Sequence, residues 1–329
     1  MFLKAQFGDE KSLRYCRDNG IEVRAMSGQV LAQGGALVPG ELSNAIIDLA
    51  DSFGVFRSEA DVWPMNSDTL SVPKSTSDPE ATFVLESGAL PEDEGEWGAV
   101  NLSASKLGTI VRIPTELMED SVINIADRPA FQLARSFAKK EDSCGFSGDG
   151  TSTYGGIQGI FTLLIDGNHD ASKVVAATNH DLFSEIDAVD LSNLVAACPE
   201  YAVPGAKWYC SNLAWSMVFM RLMMAAGGNA VSDLSGAVPK SYAGFPVITS
   251  PVLPAGASTD YSGLVMIAFG NLRLASKFGS RRDIRIQILS ETYAAYDQIG
   301  VQATERFDIV NHGLGDGTNA GPIVGLVGA

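Results

Sequence analysis

Residues 82–102 read TFVLESGALPEDEGEWGAVNL, in which two strand-like runs enclose an acidic segment. The runs are residues 82–85 and 97–102, and a third strand-like run lies upstream at residues 69–73. Because polar stretches separate these runs, the pattern predicts a long β-hairpin. An extended hairpin without a core of its own is marginally stable in water. This one is therefore predicted to gain stability by packing on another subunit.

The acidic segment, residues 86–96, is too polar to anchor a core. It contains no basic residue, and Trp97 follows it directly. We predict that this part of the hairpin makes contacts between subunits. The acidic residues of the segment are Glu86, Glu92, Asp93, Glu94 and Glu96.

The first residues of the chain indicate an arm. Residues 1–36 are polar and contain glycine, and an extended run ending at Pro39 follows the pair Gly34-Gly35. A glycine pair before a proline-terminated run is typical of an arm that joins a folded body. We predict that the arm lies on a neighbouring subunit, and that a short amphipathic helix follows at residues 41–53.

The chain is acidic overall, with 39 acidic and 23 basic residues and a formal net charge of −16. Tight binding of duplex DNA over a broad face needs many Lys and Arg side chains, so this composition disfavours it. One basic cluster stands out and is interpreted as a solvated face or a set of ion-pair partners. Two of its residues, Arg281 and Arg282, are also candidate assembly residues. The cluster comprises Lys277, Arg281, Arg282 and Arg285.

Composition also indicates a folded, soluble protein that is not secreted. The chain has 46% hydrophobic and 19% charged residues, as globular proteins do. Its longest apolar stretch, residues 213–228, contains Arg221 and is too short to span a bilayer. Residues 1–10 lack the apolar region of a signal peptide.

Hydrophobic periodicity predicts a mixed α+β chain without a βαβ series. The main helix is predicted at residues 127–144, capped by Asp127. Its apolar stripe is predicted to be Phe131, Ala134, Phe137 and Ala138. Other helices are predicted at 182–198 and 212–226. Strands are predicted at 106–114, 206–210, 245–249, 264–269, 284–289 and 294–310. Residues 313–329 show no clear periodicity, so no element is predicted there.

Motifs for catalysis are incomplete. A Gly-Asp-Gly run at residues 148–150 lacks the Gly-Lys-Ser/Thr of a phosphate loop. Residues 145–149 nearly form a nucleophile elbow around Ser147, but Asp149 stands where the turn needs glycine.

Motifs for metal binding are incomplete too. Asp166, Asn168 and Asp170 imitate a calcium loop, yet Ala171 and Ala177 replace its glycine and glutamate. We predict no cofactor, no metal site and no enzymatic activity. The cysteines are predicted to be reduced and mostly buried, and the histidines lack metal-ligand spacing; these residues are Cys16, Cys144, Cys198, Cys210, His169, His180 and His312.

The order of the pieces resembles the major capsid protein family of tailed bacteriophages, which has the Hong Kong 97-like fold. The resemblance covers nearly all of the chain from Gly34 onward, and it depends on several short motifs occurring in the same order. The motifs are GGALVP (34–39), KLGTIVRIPTELMEDS (106–121), GDGT (148–151), GGIQG (155–159), GFPV (244–247), SP (250–251), FGN (269–271) and ERFD (305–308).

The resemblance implies how the chain is divided. Residues 1–38 would form an N-terminal arm and residues 62–102 an extended β-hairpin loop. The peripheral domain, with a long spine helix, would comprise residues 39–61, 103–184 and 286–312. The axial domain would comprise residues 185–285, with the tail 313–329 on its side.

The resemblance also implies a function. The chain would assemble into hexamers and pentamers of an icosahedral shell that encloses double-stranded DNA without reading its sequence. It would assemble in the host cytoplasm, reside in the virion, and not associate with a membrane. Implied partners are further copies of the chain, a portal, a scaffold or protease, and decoration proteins.

Some relatives join their subunits covalently through a loop lysine, a peripheral-domain asparagine and an assisting glutamate. The matching positions here are Leu90, Asp297 and Thr304, so covalent cross-linking is predicted to be absent and burial between subunits to hold the shell. Two alternatives stay open. One is an encapsulin-like compartment that houses an enzyme, and the remote one is a serine or cysteine hydrolase that uses Ser147 or a cysteine.

Overall fold

Two mixed β-sheets and a separate hairpin form the framework of the described chain. The structure is a computed structural model and describes residues 54–77, 79, 81–84, 92, 95–116, 128–225, 240–289 and 291–329. These residues belong to one compact unit, Asp51–Ala329. The predicted arm and the predicted helix at 41–53 lie outside the described residues.

The strands and helices alternate irregularly along the chain. The strands are β1 (Asp61–Pro64), β2 (Thr69–Ser77), β3 (Glu96–Ser103), β4 (Ser105–Pro114), β5 (Lys173–Val175), β6 (Lys207–Cys210), β7 (Ser241–Tyr242), β8 (Phe245–Thr249), β9 (Val265–Gly270), β10 (Ser276–Leu289), β11 (Gln298–Asn311) and β12 (Ile323–Val327). The helices are α1 (Val55–Glu59), α2 (Arg128–Ser147), α3 (Ile160–Leu163), α4 (Ala188–Ala197), α5 (Asn212–Ala214), α6 (Arg221–Ala225) and α7 (Leu272–Ala275), with a π-helical turn at Trp215–Met220 between α5 and α6.

The first sheet has the strand order β1-β10-β11-β4 and packs against α2. Leu133 and Phe137, one turn apart on α2, form a core with Ile113, Val301 and Ala303 from the sheet. Apolar residues spaced by four lie on one helix face, which is why this face of α2 is buried. The predicted main helix is confirmed, and it continues beyond residue 144.

The buried stripe of α2 differs from the predicted one. Phe137 is buried as predicted, but Ala134 and Ala138 are only half-buried. Leu133 and Glu141, one turn before and one turn after Phe137, are buried with it. The side chain of Phe131 and the predicted cap at residue 127 lie outside the described residues.

The second sheet has the order β5-β12-β9-β6-β8-β7 and places the end of the chain near its centre. Val324 and Leu326 of β12 enter one core cluster, whereas Ile323 and Val327 enter another. A strand that is buried on both faces shows no alternation of polar and apolar residues. The tail was predicted to lack periodicity, and its strand β12 was missed for this reason.

Four other predictions need correction. The strand predicted at 294–310 begins only at Gln298, because residues 294–296 form a 3-10 turn. The prediction of a strand at 82–85 is wrong for residues 82–84, which form no strand. Helix α4 begins only at residue 188, because the Asp187 side chain accepts hydrogen bonds from the N–H groups of Val189 and Asp190 and caps the helix there. Strand β10 begins eight residues before the predicted start at 284, since its polar first half pairs with β1 and β11. The strands predicted at 106–114, 206–210, 245–249 and 264–269 are confirmed to within one residue.

Candidate assembly surface

The hairpin of β2 and β3 has a small core at its base only. Leu102 packs there with Met65 and Ala104, and Leu70 and Val310 lie against them. Farther out, residues 96–99 are all exposed. The predicted hairpin is confirmed over residues 69–77 and 96–103, and its outer part lacks a core among the described residues.

Asp308 of β11 holds the base of the hairpin on the first sheet through one hydrogen bond and is itself held by a bond within its own strand. The N–H of Ser103 donates to Asp308 Oδ2 over 2.6 Å, and the N–H of Ile309 donates to Asp308 Oδ1 over 2.9 Å. Burial raises the pKa of the Asp308 carboxyl. Lys74, farther along β2, donates to the carbonyl oxygen of His312 over 2.8 Å. The hairpin is therefore attached along β11 and leaves its other end exposed.

The outer part of the hairpin presents large apolar side chains to solvent. Trp97 is 75% exposed at the start of β3, where it pairs with Ser75. Phe83 and Val84 are also exposed. Large apolar side chains grouped on a protrusion are typical of surfaces that bind another protein.

An ion cluster with two buried carboxyl groups lies where α1, α2, β10 and β11 meet. Arg57 Nη1 is 3.1 Å from Glu141 Oε1 and 3.3 Å from Glu305 Oε1, and Arg57 Nη2 is 2.5 Å from Asp283 Oδ1. Burial and the neighbouring carboxylate of Glu305 raise the pKa of Glu141 to about 9. The hydrogen bond from Arg57 holds the pKa of Asp283 below its usual range. Glu141 thus keeps its proton at neutral pH, and one guanidinium faces two carboxylates.

Asp142 ties α2 to the start of α1. Its carboxylate accepts hydrogen bonds from the N–H groups of Gly54 over 3.0 Å and Phe56 over 2.8 Å. The Ser250 hydroxyl donates to the same carboxylate over 3.4 Å, which links the second sheet to this point. Burial raises the pKa of Asp142, and its backbone donors offset part of that effect.

A basic pocket opens on the other face of the first sheet from α2. Its volume is about 180 Å³. Arg282 Nη2 donates to the Thr304 hydroxyl over 2.8 Å, while Arg285 and Lys106 are exposed. The basic pocket is lined by Lys106, Arg282, Arg285, Gln287, Gln302 and Thr304.

The predicted assembly residues fall into several groups. Glu92, Glu96 and Trp97 are exposed on or near the hairpin. Arg281 lies beside Asp68, with its Nε 3.6 Å from Asp68 Oδ1, and Arg282 lines the basic pocket. Lys277 is ion-paired with Asp61, so the interpretation as ion-pair partners is confirmed for Lys277 and Arg281. Gly34, Gly35, Pro39, Asp93, Glu94 and Leu90 lie outside the described residues.

The two other positions matched to the cross-link lie at separate places. Asp297 precedes β11 and accepts a hydrogen bond from the Thr115 hydroxyl over 2.8 Å. Thr304 is buried within β11. Seven residues of extended chain separate them by roughly 20 Å. The absence of cross-linking stays a prediction.

The remaining candidates for chemistry have structural surroundings. Burial raises the pKa of Cys144 to about 11, of Cys198 to about 11 and of Cys210 to about 12, so these thiols are protonated at neutral pH. The three are free and buried, as predicted.

Among the described residues, no hydrogen bond joins Ser147 to a histidine. Asp166 accepts from the N–H of Asn168 over 2.7 Å, which closes a surface turn.

One group of possible metal ligands contains His180, Asp187 and Asp190, whose ligand atoms lie within 4.8 Å of one another. Their atoms already have partners. His180 Nδ1 is 2.6 Å from Asp190 Oδ2, and Asp190 Oδ1 accepts from the N–H of Ala177 over 3.0 Å. Asp187 and Asp190 therefore form the cap of α4, and His180 contacts the Asp190 carboxylate. In the part of the chain that the structure describes, no helix is long and apolar enough to cross a membrane.

Several residues of this region were missed at the level of sequence. The spacing of four between Leu133, Phe137 and Glu141 could have placed Glu141 on the buried stripe of α2. Arg57 carries no local signal, because its partners are 84 and 248 residues away along the chain.

The fold and its protruding hairpin define a mixed α+β subunit with exposed apolar surface that another subunit could cover. A family model described as the phage capsid family matches residues 34–311. The chain therefore belongs to the phage capsid family.

Solved structures agree with this assignment. The chain is 20% identical to the capsid of a native GTA particle, with a TM-score of 0.68, and the match covers 93% of this chain and 100% of that one. It is 20% identical to a chain from Mycobacterium phage Adephagia, with a TM-score of 0.63 and 91% and 97% of the two chains covered. It is 17% identical to a chain from Microbacterium phage Oxtober96, with a TM-score of 0.62 and 91% and 99% covered. No curated protein matches the chain. The predicted Hong Kong 97-like capsid fold is confirmed at the level of the overall fold.

Proposed function

We propose that this chain is the major capsid protein of a tailed phage or a related particle, and that it assembles into hexamers and pentamers of an icosahedral shell. The observation that carries the proposal is the hairpin, because its outer part exposes Trp97 and lacks a core of its own. Covering that surface by another subunit would bury apolar area and stabilise the hairpin.

The shell would enclose double-stranded DNA without reading its sequence, and it would be part of the virion. A net charge of −16 supports a lining that repels DNA over most of its area. The predicted arm, extended loop, peripheral domain and axial domain belong to this proposal with their stated boundaries. The proposal also includes a portal, a scaffold or protease, and decoration proteins as partners.

The role proposed is structural and not catalytic. The buried thiols are protonated, and Ser147 has no histidine partner among the described residues, which supports neither hydrolase alternative. Subunit contacts without covalent cross-links would hold the shell, since Asp297 and Thr304 offer neither an asparagine nor a glutamate. An encapsulin-like compartment would differ by holding a protein cargo, so analysis of particle contents separates it from a capsid.

The experiment compares Trp97→Ala with Tyr201→Ala, whose side chain is 63% exposed outside the hairpin. Electron microscopy and sedimentation should show shells of the natural chain. Trp97→Ala should raise the subunit concentration needed for assembly about 10-fold or more, as the loss of an aromatic anchor does. Unfolding of the unassembled subunit should change by less than about 0.5 kcal/mol.

The control Tyr201→Ala should assemble like the natural chain. Two outcomes would contradict the proposal. One is a natural chain that stays monomeric at every concentration and salt condition in which it is folded. The other is a Trp97→Ala variant that assembles as readily as the natural chain.

A further inference from the structure

The basic pocket lies where like charges occupy opposite positions on neighbouring strands. Arg306 of β11 is directly opposite Lys106 of β4 on one side and Arg282 of β10 on the other. Arg285, farther along β10, is opposite Thr304. Neighbouring strands are about 5 Å apart, and like charges at opposite positions destabilise the pairing of the strands. A row of cations across three strands therefore favours the binding of an anion.

The described chain offsets only part of this positive charge. Asp68 Oδ1 is 2.9 Å from Arg306 Nη1 and 3.6 Å from Arg281 Nε, so one carboxylate faces both arginines. Among the described residues, no carboxylate forms an ion pair with any of the three cations that line the pocket. The charge of the pocket itself is thus left to water or to a ligand.

The nearest acidic residues of the same strands are turned toward the other face of the sheet. Glu305 lies between Thr304 and Arg306 on β11, and successive side chains of a strand point to opposite faces. The Glu305 carboxylate is 3.3 Å from Arg57 Nη1, and the Asp283 carboxylate of β10 is paired with Arg57 Nη2. Arg57 therefore holds these carboxylates away from the pocket.

Neutral hydrogen-bond donors complete the lining of the pocket. The Thr304 hydroxyl accepts from Arg282 Nη2 over 2.8 Å, and among the described residues its own hydrogen has no acceptor. Gln287 and Gln302 supply amide N–H groups. The volume of about 180 Å³ admits a small anion that could accept from several of these donors at once.

These properties suit a phosphate group better than a carboxylate. Guanidinium groups bind phosphate through two parallel hydrogen bonds, and an ammonium group binds it as a point charge. A phosphate monoester carries up to about two negative charges at neutral pH, so it offsets more of the charge of three cations than one carboxylate does. Tight binding of duplex DNA needs basic residues over a broad face, which a net charge of −16 disfavours.

We propose that the basic pocket binds free phosphate, as the inorganic ion or as a small phosphate monoester, with Lys106, Arg282 and Arg285 as its charged ligands. A bound phosphate would join β4 to β10 across β11 and would relieve the repulsion between their cations. The site lies within one subunit, so it does not depend on the proposed assembly.

The first test measures binding directly. Equilibrium dialysis of the full chain against radiolabelled inorganic phosphate, at fixed ionic strength and with the chain unassembled, should show one bound phosphate per subunit. Arg285→Gln and Lys106→Gln should each weaken binding about 10-fold or more, because each removes a charged hydrogen-bond donor. Both side chains are exposed, so both variants should fold like the natural chain. Arg273→Gln is the matched control, since the Arg273 side chain is 76% exposed outside the pocket, and it should bind phosphate like the natural chain.

The second test measures the stabilisation that binding produces. Phosphate stabilises many proteins because it is excluded from their surfaces, so the natural chain is compared with the double variant Lys106→Gln/Arg285→Gln. At a phosphate concentration ten times the dissociation constant, the midpoint of thermal unfolding should rise by about 3 °C more in the natural chain than in the double variant.

Three results would overturn the phosphate site. One is a natural chain that binds no phosphate, and another is equal binding by the natural chain and by both Arg285→Gln and Lys106→Gln. The third is displacement of the label by a short DNA duplex at a lower concentration of phosphate groups than unlabelled phosphate needs, which would make the pocket a nucleic-acid site. Shell formation is measured separately, so each of these results leaves the capsid function intact.

Discussion

Glu141 and Glu305 lie side by side in the protein interior, where each has an oxygen within 3.3 Å of the same Arg57 nitrogen. Glu141 is 3% exposed and the Glu305 side chain is 0% exposed. Two ionised carboxylates so close together in a buried site repel each other strongly. The pair therefore keeps one proton, and Arg57 faces the remaining carboxylate of the pair as well as the carboxylate of Asp283.

This arrangement predicts that stability decreases as pH rises from about 5 to about 9. The pKa of Glu141 is raised from 4.5 to about 9, so the folded chain binds an additional proton between these two values. The unfolding free energy should fall as pH rises through that window, by up to about 1 kcal/mol for each pH unit. Denaturant unfolding of the unassembled subunit at several pH values measures this.

Glu141→Gln is the matched variant for the pH experiment. The amide keeps a donor toward Glu305 but has no proton to lose, so most of the pH dependence between about 5 and about 9 should disappear. If the variant and the natural chain lost stability in parallel over that range, another group would be responsible.

Gly270→Ala should destabilise the second sheet. Gly270 has φ +143°, and a Cβ there would lie 2.2 Å from the carbonyl oxygen of Pro322 and 2.7 Å from Ile323 Cα. The collision would separate β9 from β12 and should cost about 3 kcal/mol or more. Gly317→Ala, where a Cβ meets no atom within 4 Å, is the control and should be close to neutral in thermal unfolding. An unchanged midpoint for Gly270→Ala would contradict the predicted collision.

Asp308→Ala should loosen the base of the hairpin. It removes the acceptor of the Ser103 and Ile309 N–H groups and should cost about 1 to 3 kcal/mol. Hydrogen exchange read by mass spectrometry should show faster exchange in the peptide that contains Ser103. Asp260→Ala, which removes an exposed acceptor from the N–H of Ser262, should leave that peptide unchanged. Equal exchange in both variants would rule out Asp308 as the anchor.

Several elements could be predicted because their residues follow a local period. The stripe that contains Phe137 indicated α2, and the runs at 69–73 and 97–102 indicated the hairpin. The strand predicted at 82–85 is wrong over 82–84, because alternation alone does not provide a partner strand and these residues are exposed.

Other elements had no local signal that could reveal them. β12 is buried on both faces, so its sequence does not alternate. The first half of β10 is rich in charged residues, which are acceptable there because Lys277 pairs with Asp61 and Arg281 with Asp68. Only the tertiary structure revealed these pairs.

Hydrophobic periodicity determined the mixed α+β class, and strand-like runs determined the position of the hairpin, since both depend on local pattern. The order of short motifs along the chain indicated the family. Tertiary structure alone decided that Arg57 meets Glu141 and Glu305, and that Lys106, Arg282 and Arg285 share one pocket. Burial and proton sharing arise from groups that are distant in sequence, and their energies depend on distances that only the folded chain sets.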